Sequence, residues 1–280
     1  MPGTDRGGDA VTKLRASRIF AGPALLLMCV IWSGAAFAAG NPVKIEWFSW
    51  SIFRMTSPSG KVVLTNPFVT NPDSPVKVEN FPKVDIILVA DGHQDEVGSA
   101  AEIALATHAK VITSFEMYSV WFEPRKVPLE QIVRSSPGDW TKIDGITIRN
   151  IPSIHGSGTA DKLYGGAAMG FMIKFENGLT VYFAGSTAPT LDMTMWGRMY
   201  KPDVAILQMS AAKDPRDLVE EIKMLRTGNP NLKTVIPHHN RLQVPPGGTM
   251  PADVAAAVKA AKLPVKILIP ELAKSYDLTR

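Results

Sequence analysis

The sequence predicts a four-layer α/β sandwich, in which two stacked β-sheets carry helices on their outer faces. Two runs of strand-like segments are each followed by helical segments, a pattern typical of sheets that pack against each other on one face and beneath helices on the other. Residues 84–90 form a continuous apolar run with the composition of a fully buried strand. No segment recurs at the period of a solenoid, so a repeat architecture is not expected.

Short β-rich segments dominate the first half of the chain. The pattern predicts strands at residues 43–48, 61–64, 84–89 and 110–113. Residues 98–109 are rich in Ala and Ile and favour a helix; Asp95 and Glu96 directly precede it, where acidic groups suit the helix dipole. Residues 117–140 contain three prolines, which predict an irregular surface excursion.

A second run of strands and two amphipathic helices follow. Strands are predicted at residues 146–151, 169–175, 179–183, 204–207, 234–236 and 265–269. Asn177-Gly178 is typical of a hairpin turn between the second and third of these strands. Helices are predicted at residues 215–226 and 252–261. The spacing of Met193, Met195 and Met199 is that of a packed helix face rather than of a metal-binding stripe.

The composition indicates a globular protein whose partner is not a nucleic acid. The chain has 280 residues, of which 45% are hydrophobic and 20% are charged, and this is enough to build a substantial core. The formal charge is +4, but the basic residues neither cluster nor alternate with aromatic ones, so nucleic-acid binding is not expected. A small-molecule substrate is expected instead. The oligomeric state leaves no signal in the sequence.

Residues 1–38 have the features of a cleaved secretory signal peptide. Lys13, Arg15 and Arg18 precede an apolar stretch, and Ala36-Phe37-Ala38 supplies the small residues that a signal peptidase requires. Cleavage after Ala38 would give a periplasmic or secreted protein without a stable membrane anchor, consisting of a single domain over residues 39–280. The alternative is a signal that stays uncut as a membrane anchor. The single cysteine lies in this segment, so the mature chain would contain neither disulfides nor thiolate ligands.

Four potential metal ligands lie within six residues at the end of the buried strand. They are Asp91, His93, Asp95 and Glu96. Asp91 and His93 alternate along the chain, so in an extended conformation their side chains point to the same side. Buried carboxylates without a counter-ion are costly, which favours a divalent metal ion at this position.

Histidines follow the ends of other predicted strands. His155 comes after the strand at residues 146–151, and His238 and His239 come after the strand at residues 234–236. Functional sites in α/β folds are commonly assembled from the loops that follow several strands. His108 lies near the end of a predicted helix and is interpreted as a surface residue.

Each of these residues also has a purely structural interpretation. Asp95 and Glu96 can form a helix N-terminus, with Asp95 as its cap. His155 and His239, taken singly, can be satisfied core histidines, and Ser186 can be a turn residue. The metal hypothesis therefore depends on the whole constellation rather than on any one member.

Residues 91–96, Asp-Gly-His-Gln-Asp-Glu, resemble an altered form of the HxHxDH motif of the metallo-β-lactamase superfamily. The resemblance is closest to small metal-dependent hydrolases similar to ascorbate-phosphate lactonase. The other matching segments are residues 47–50 (Trp-Leu-Gly-His in the family), 65–68 (Ile-Asp-Pro-Phe), 151–155, 182–187 (Tyr-His-Ala-Gly-Asp-Thr) and 236–240 (Ile-Pro-x-His). The resemblance implies an αββα metallo-β-lactamase-type sandwich that covers most of the mature chain.

The resemblance further implies two neighbouring metal positions. Ligands of the first correspond to Asp91, His93 and His155, and ligands of the second to Asp95, Glu96 and His239. Asp95 is also expected to orient the attacking water and to accept its proton. We expect three further side chains to lie beside these ligands without binding the metal directly: Ser186, His238 and Asn66.

Five positions depart from the family pattern. Asp91, Glu96 and Trp50 replace histidines, and Asn66 and Ser186 replace aspartates, of which the one at 186 bridges the two metal ions. Asp and Glu are competent ligands, whereas a neutral hydroxyl cannot supply the bridging negative charge. One divalent ion, or two loosely held ions, is therefore expected. Zinc is favoured by the general affinity order, with iron(II) and manganese(II) as alternatives because of the added carboxylates.

Two functional hypotheses follow from this pattern. The first is an exported metal-dependent hydrolase that uses a metal-activated water on an ester, lactone, amide or phosphoester bond. The second is a catalytically inactive relative that binds a ligand or a partner in the remodelled pocket. The retained residues His93, Asp95, His155 and His239 favour the first hypothesis, and the five departures favour the second.

Overall fold

The computed structural model describes residues 41–280, and two seven-stranded β-sheets form its centre. The first sheet contains β1 (Val43–Trp47), β2 (Phe53–Thr56), β3 (Val62–Thr65), β4 (Ile86–Leu88), β5 (Lys110–Ser114), β6 (Ile132–Ser135) and β14 (Ser275–Leu278), in the order β14-β1-β2-β3-β4-β5-β6. The second contains β7 (Trp140–Ile143), β8 (Ile146–Pro152), β9 (Met169–Lys174), β10 (Thr180–Phe183), β11 (Val204–Gln208), β12 (Thr234–His238) and β13 (Lys266–Ile267), in the order β13-β12-β11-β10-β9-β8-β7. The predicted signal peptide, residues 1–38, lies outside the described residues.

Helices lie between the strands along the chain. They are α1 (Gln94–Val97), α2 (Ala100–Thr107), α3 (Phe115–Met117), α4 (Asp192–Tyr200), α5 (Pro215–Gly228) and α6 (Pro251–Ala260). The longest is α5, which begins with Pro215 at its first turn and is capped by the side chain of Asp214, which accepts a hydrogen bond from the backbone of Arg216. Within residues 41–280, none of the helices combines the length and the apolar character needed to cross a membrane.

Three apolar layers hold the sheets and helices together. The layer between the sheets draws alternate residues from both, including Ile86 and Leu88 of β4 and Phe171 of β9. The outer face of the first sheet packs on α2 and on the segment after α3, and the outer face of the second packs on α4, α5 and α6. The predicted αββα sandwich is therefore confirmed.

The strand directions bring several loops to one edge of the sandwich. Strands β3 to β6 are parallel to one another, as are β10 to β13. Strand β8 runs in the same direction as β10, because each pairs in antiparallel fashion with β9. The loops after β4 and β8 meet where the backbone N–H of Gly92 donates to Ser157 Oγ at 3.1 Å. The predicted ligands, which follow β4, β8 and β12, are thereby positioned for one site.

The sequence-based expectation for residues 117–140 is wrong in part. This segment contains a π-helical turn, Tyr118–Phe122, and the edge strand β6, and Trp121 and Phe122 are buried in the layer beneath the first sheet. The three prolines lie outside strands and helices. The structure also contains three four-residue strands that the sequence analysis did not identify, β2, β7 and β14.

The predicted helix at residues 98–109 corresponds to α2, and a separate helical turn, α1, precedes it. Gly98 separates α1 from α2 and has a φ of +41°. A Cβ atom at this position would lie 2.5 Å from the backbone of Phe68, so the chain reaches this close approach only with glycine. Asp95 and Glu96 consequently belong to a helical turn of their own, whose N-cap residue is His93.

Glu221 on α5 generates a prediction about stability. Its carboxyl group is fully buried, and neither oxygen has a hydrogen-bond partner within residues 41–280. Burial raises the pKa of Glu221 to about 8, although the nearby charge of Lys213 opposes this shift. The folded state then binds a proton that the unfolded state loses near pH 4.5, so the free energy of unfolding should fall as the pH rises from about 4.5 to about 8.

We expect Glu221→Gln to remove this contribution to the pH dependence. The stability of the variant relative to the wild type should rise by about 1–3 kcal/mol between pH 5 and pH 8, because only the wild type must retain a proton that its unfolded state has released. Denaturant unfolding at pH 5 and pH 8 measures the difference. Glu220→Gln is the matched control, since Glu220 is the neighbouring residue and its side chain is 57% exposed. Equal pH dependence in the wild type and Glu221→Gln would contradict the prediction.

Candidate metal centre

The loop after β4 places Asp91 and His93 against each other. Asp91 is 2% exposed, and its Oδ1 lies 2.9 Å from the backbone nitrogen and 2.9 Å from Nδ1 of His93. The hydrogen bond to Asp91 raises the pKa of His93, against the effect of burial. The other oxygen, Oδ2, is buried and has no hydrogen-bond partner among the residues that the structure describes. This oxygen therefore lacks the compensation that a buried carboxylate needs.

His155 completes a group of three ligands. One ligand atom each of Asp91, His93 and His155 lies within 4.8 Å of the others, and the two imidazole rings are 5.0 Å apart. Burial lowers the pKa of His155, which favours the neutral imidazole that binds metals. The loop that carries His155 is tied to the β4 loop through Ser157 and Gly92. A Cβ atom at Gly92 would lie 3.2 Å from the carbonyl oxygen of Ser157, so this approach favours glycine.

Asp95, Glu96 and His239 form a second group. His239 Nε2 lies 3.2 Å from Asp95 Oδ2 and 3.3 Å from Glu96 Oε1. Burial lowers the pKa of His239, but the hydrogen bonds to the two carboxylates outweigh it and raise the pKa above its usual value. Burial alone would raise the pKa of Asp95, yet the hydrogen bond and the charge of His239 lower it. His239 and Asp95 are thus an ion pair at neutral pH, and Asp95 does not cap a helix.

Glu96 lies deeper than Asp95 and is surrounded by neutral donors. Ser186 Oγ donates to Glu96 Oε1 at 2.8 Å and Ser51 Oγ at 3.3 Å, while Asn66 Nδ2 donates to Oε2. Gln208 Nε2 in turn donates to Ser186 Oγ at 3.2 Å. Burial raises the pKa of Glu96, although the hydrogen bond from His239 opposes this. Ser186 and Asn66 therefore lie in direct contact with Glu96.

Two further residues support the His239 side of the site. His238 is fully buried between Phe53 and Phe183, and its Nδ1 lies 3.3 Å from Ser51 Oγ. Burial lowers the pKa of His238 well below its usual value, so the ring is neutral. It contacts the site through Ser51 and is too deeply buried to donate to a substrate. The indole of Trp50 lies 5.4 Å from the ring of His239.

The two groups differ in how well they suit a divalent cation. Asp91, His93 and His155 supply one carboxylate and two imidazoles, a donor set found in zinc hydrolases, and include a buried oxygen without a partner. The oxygens of Glu96, by contrast, already accept hydrogen bonds from three side chains. The residues present therefore fit an ion at the first position and not at the second.

The sequence did not reveal Ser51 and Gln208 as members of this site. Ser51 follows Trp50 in one of the segments that resemble the family, and Gln208 ends β11. Both are buried and polar, at 0% and 6% exposure. Both residues contact side chains that are distant in the sequence. The local spacing of residues therefore does not identify them as members of the site.

Comparisons with known proteins identify the family to which the chain belongs. The family model described as "Beta-lactamase superfamily domain" matches residues 57–268. A UPF0173 metal-dependent hydrolase of Koribacter versatilis is 30% identical over 203 residues, which cover 70% of this chain and 84% of that protein. Among solved structures, Igni18, a metallo hydrolase of Ignicoccus hospitalis, has a TM-score of 0.72 at 26% identity and covers 86% of this chain and 100% of its own.

A solved metallo-β-lactamase fold protein of Bacillus subtilis, YhfI, shares the architecture at 11% identity. Its TM-score is 0.60, and the match covers 85% of this chain and 99% of that protein. The family model spans more than half of the chain, and it includes the loops that carry Asp91, His93 and His155. The chain therefore belongs to the β-lactamase superfamily, as a member of its metal-dependent hydrolases with the metallo-β-lactamase fold.

Proposed function

We propose that this protein is an exported hydrolase that uses one divalent cation, held by Asp91, His93 and His155, to cleave an ester, lactone, amide or phosphoester bond. The observation that carries the proposal is the buried, unpartnered Oδ2 of Asp91 next to two imidazoles. A divalent cation bound there would lower the pKa of a water molecule and polarise the bond to be cleaved. Zinc is the proposed ion, with iron(II) and manganese(II) as alternatives.

Asp95 has the properties of the group that orients the attacking water. Its side chain is 29% exposed, so it is accessible to solvent, and His239 keeps it ionised. The charge of His93, a member of the first group, also lowers the pKa of Asp95. An ionised carboxylate accepts a hydrogen bond from water and can take up its proton. His239 holds Asp95 in place through the contact at 3.2 Å.

The loop after His155 supports an organic substrate with an apolar body. Leu163 and Tyr164 are 47% and 67% exposed, and Ile154, directly before His155, is 56% exposed. The loop is anchored to the β4 loop, because Gly165 donates to the carbonyl of Ser157 and Ser157 accepts from Gly92. Exposed apolar side chains beside a polar centre are typical of a surface that contacts a ligand.

Export is proposed from the sequence of residues 1–38. The positive segment, the apolar stretch and the Ala-x-Ala site support cleavage after Ala38 and a periplasmic or secreted location. Mass spectrometry of the protein recovered from the periplasm or the medium of a bacterial host tests this proposal. A mature chain that begins at Ala39 is the expected result, and a full-length chain retained in the membrane would overturn it.

We expect metal binding to depend on the first group of ligands. Untagged wild-type protein loaded with zinc should retain metal after dialysis and should melt at a higher temperature than the metal-free protein, because an ion that binds only the folded state stabilises it. A His93→Ala, His155→Ala double variant should lose both effects. The control is His108→Ala, which removes an exposed histidine at the end of α2. Metal retained by the double variant would refute this assignment.

We expect Asp95→Asn to lower kcat by roughly 10²–10³-fold without loss of the bound metal, because a positioned acid–base group contributes about this factor. The assay uses the metal-loaded protein with a 4-nitrophenyl ester, a lactone and bis(4-nitrophenyl) phosphate. Glu102→Gln, at an exposed position on α2, is the matched control and should leave kcat unchanged. Metal-loaded protein inactive on every substrate would favour the ligand-binding alternative.

A further inference from the structure

The carboxylate of Glu96 is surrounded by the side chains that would otherwise complete a second metal position. Glu96 is 1% exposed, and its Oε1 accepts from Ser186 Oγ at 2.8 Å and from Ser51 Oγ at 3.3 Å, with His239 Nε2 at 3.3 Å. Asn66 Nδ2 donates to Oε2. Three neutral donors and one imidazole thus satisfy both oxygens without an ion.

Two of these donors stand at positions where the family pattern has aspartates. An ionised aspartate at position 66 or 186 accepts hydrogen bonds and cannot donate one, whereas Asn66 and Ser186 both donate to Glu96. The family pattern has three carboxylates among positions 66, 91, 95, 96 and 186, and this chain also has three. Compared with the family pattern, this chain has additional carboxylates after β4, at Asp91 and Glu96. Positions 66 and 186, which are aspartates in the family, carry neutral donors here.

We infer that an internal hydrogen-bonded cluster takes the place of the second metal ion. The cluster consists of Glu96 and its donors Ser51, Asn66 and Ser186, and it pairs with His239. The protein therefore binds one divalent cation per chain. The inference rests on the metal-dependent function proposed above. In this arrangement His239 does not bind a metal: its single positive charge is shared between Asp95 and Glu96, which its Nε2 contacts at 3.2 Å and 3.3 Å. Glu96 is a positioning residue, since it acts through His239.

The same kind of substitution at Asp91 and at Glu96 tests which of the two carboxylates binds a metal ion. Both are buried carboxylates in the segment that follows β4. Asp91 has an oxygen without a hydrogen-bond partner among the described residues, whereas both oxygens of Glu96 have partners. Asp91→Asn and Glu96→Gln each replace a carboxylate by an amide of nearly the same shape. The matched pair therefore separates a metal ligand from a member of the hydrogen-bonded cluster.

The experiment measures zinc, iron and manganese per chain by elemental analysis, after saturation with each ion and dialysis of the untagged protein. We expect about one ion in the wild type, about one in Glu96→Gln and a loss of retained metal in Asp91→Asn. Two ions in the wild type, falling to one in Glu96→Gln, would overturn the inference and leave the proposed hydrolase standing. No retained ion in the wild type would overturn the proposed function as well.

A second measurement covers the case in which Glu96→Gln does not fold. Ser186→Ala removes one donor to Glu96. We expect it to lower the melting temperature equally in the metal-free and in the zinc-loaded protein, because the hydroxyl serves the cluster and not an ion. A decrease confined to the zinc-loaded protein would mean that Ser186 contributes to metal binding, and this would overturn the inference.

A third variant tests whether the second position can be restored. The triple substitution Asn66→Asp, Glu96→His, Ser186→Asp returns these positions to the family pattern, and we expect it to raise the metal content from about one to about two ions per chain. Glu96→His alone should not raise the metal content, because positions 66 and 186 then still lack the carboxylates of the family pattern. A triple variant that folds, as shown by its circular dichroism spectrum, and still holds one ion would count against the inference.

Discussion

This site depends on how the negative charges of three neighbouring carboxylates are compensated. Asp91, Asp95 and Glu96 lie within six residues at the end of β4, and two of them are almost fully buried. Each is compensated differently: Asp95 by solvent and His239, Glu96 by neutral donors and the same histidine, and Asp91 only in part. A cation is attracted where negative charge is least compensated, and this distribution therefore supports the proposed position of the ion beside Asp91.

The backbone around Glu96 shows that the arrangement is held under constraint. Ser49, Trp50, Asn66 and His239 all have positive φ, between +38° and +76°, although none is a glycine. Such conformations persist only where the surroundings fix them, and they concentrate at functional sites. Here the fixing contacts are visible: the backbone of His239 donates to Trp50 at 3.0 Å, and the backbone of Trp50 donates to Asn240 at 3.0 Å. These bonds join a loop of each sheet and so set the position of His239.

The sequence predicted the sandwich, and it identified the segments that carry Asp91, His93 and His155, because both depend on local signals. The buried run before Asp91 identifies β4, and the histidines that follow strand-like runs mark loops that parallel strands bring to one edge. Side chains that act over long distances left no such signal. Trp121 and Phe122 lie among prolines yet are buried beneath the first sheet, and Ser51 approaches Glu96 only through the fold. The proposal of one ion rather than two rests on such contacts, which the sequence alone does not show.

The donors around Glu96 also connect three of the five departures from the family pattern, Asn66, Glu96 and Ser186. With Ser186 Oγ at 2.8 Å from Glu96 Oε1, an aspartate at position 186 would place two carboxylates in contact, and one of them would have to be protonated. An aspartate at position 66 would remove the amide that Glu96 accepts from. A buried glutamate at position 96 is thus compatible with neutral donors at 66 and 186 and incompatible with the aspartates of the family. These three substitutions are therefore interdependent, since each is compatible with the other two through the hydrogen bonds to Glu96.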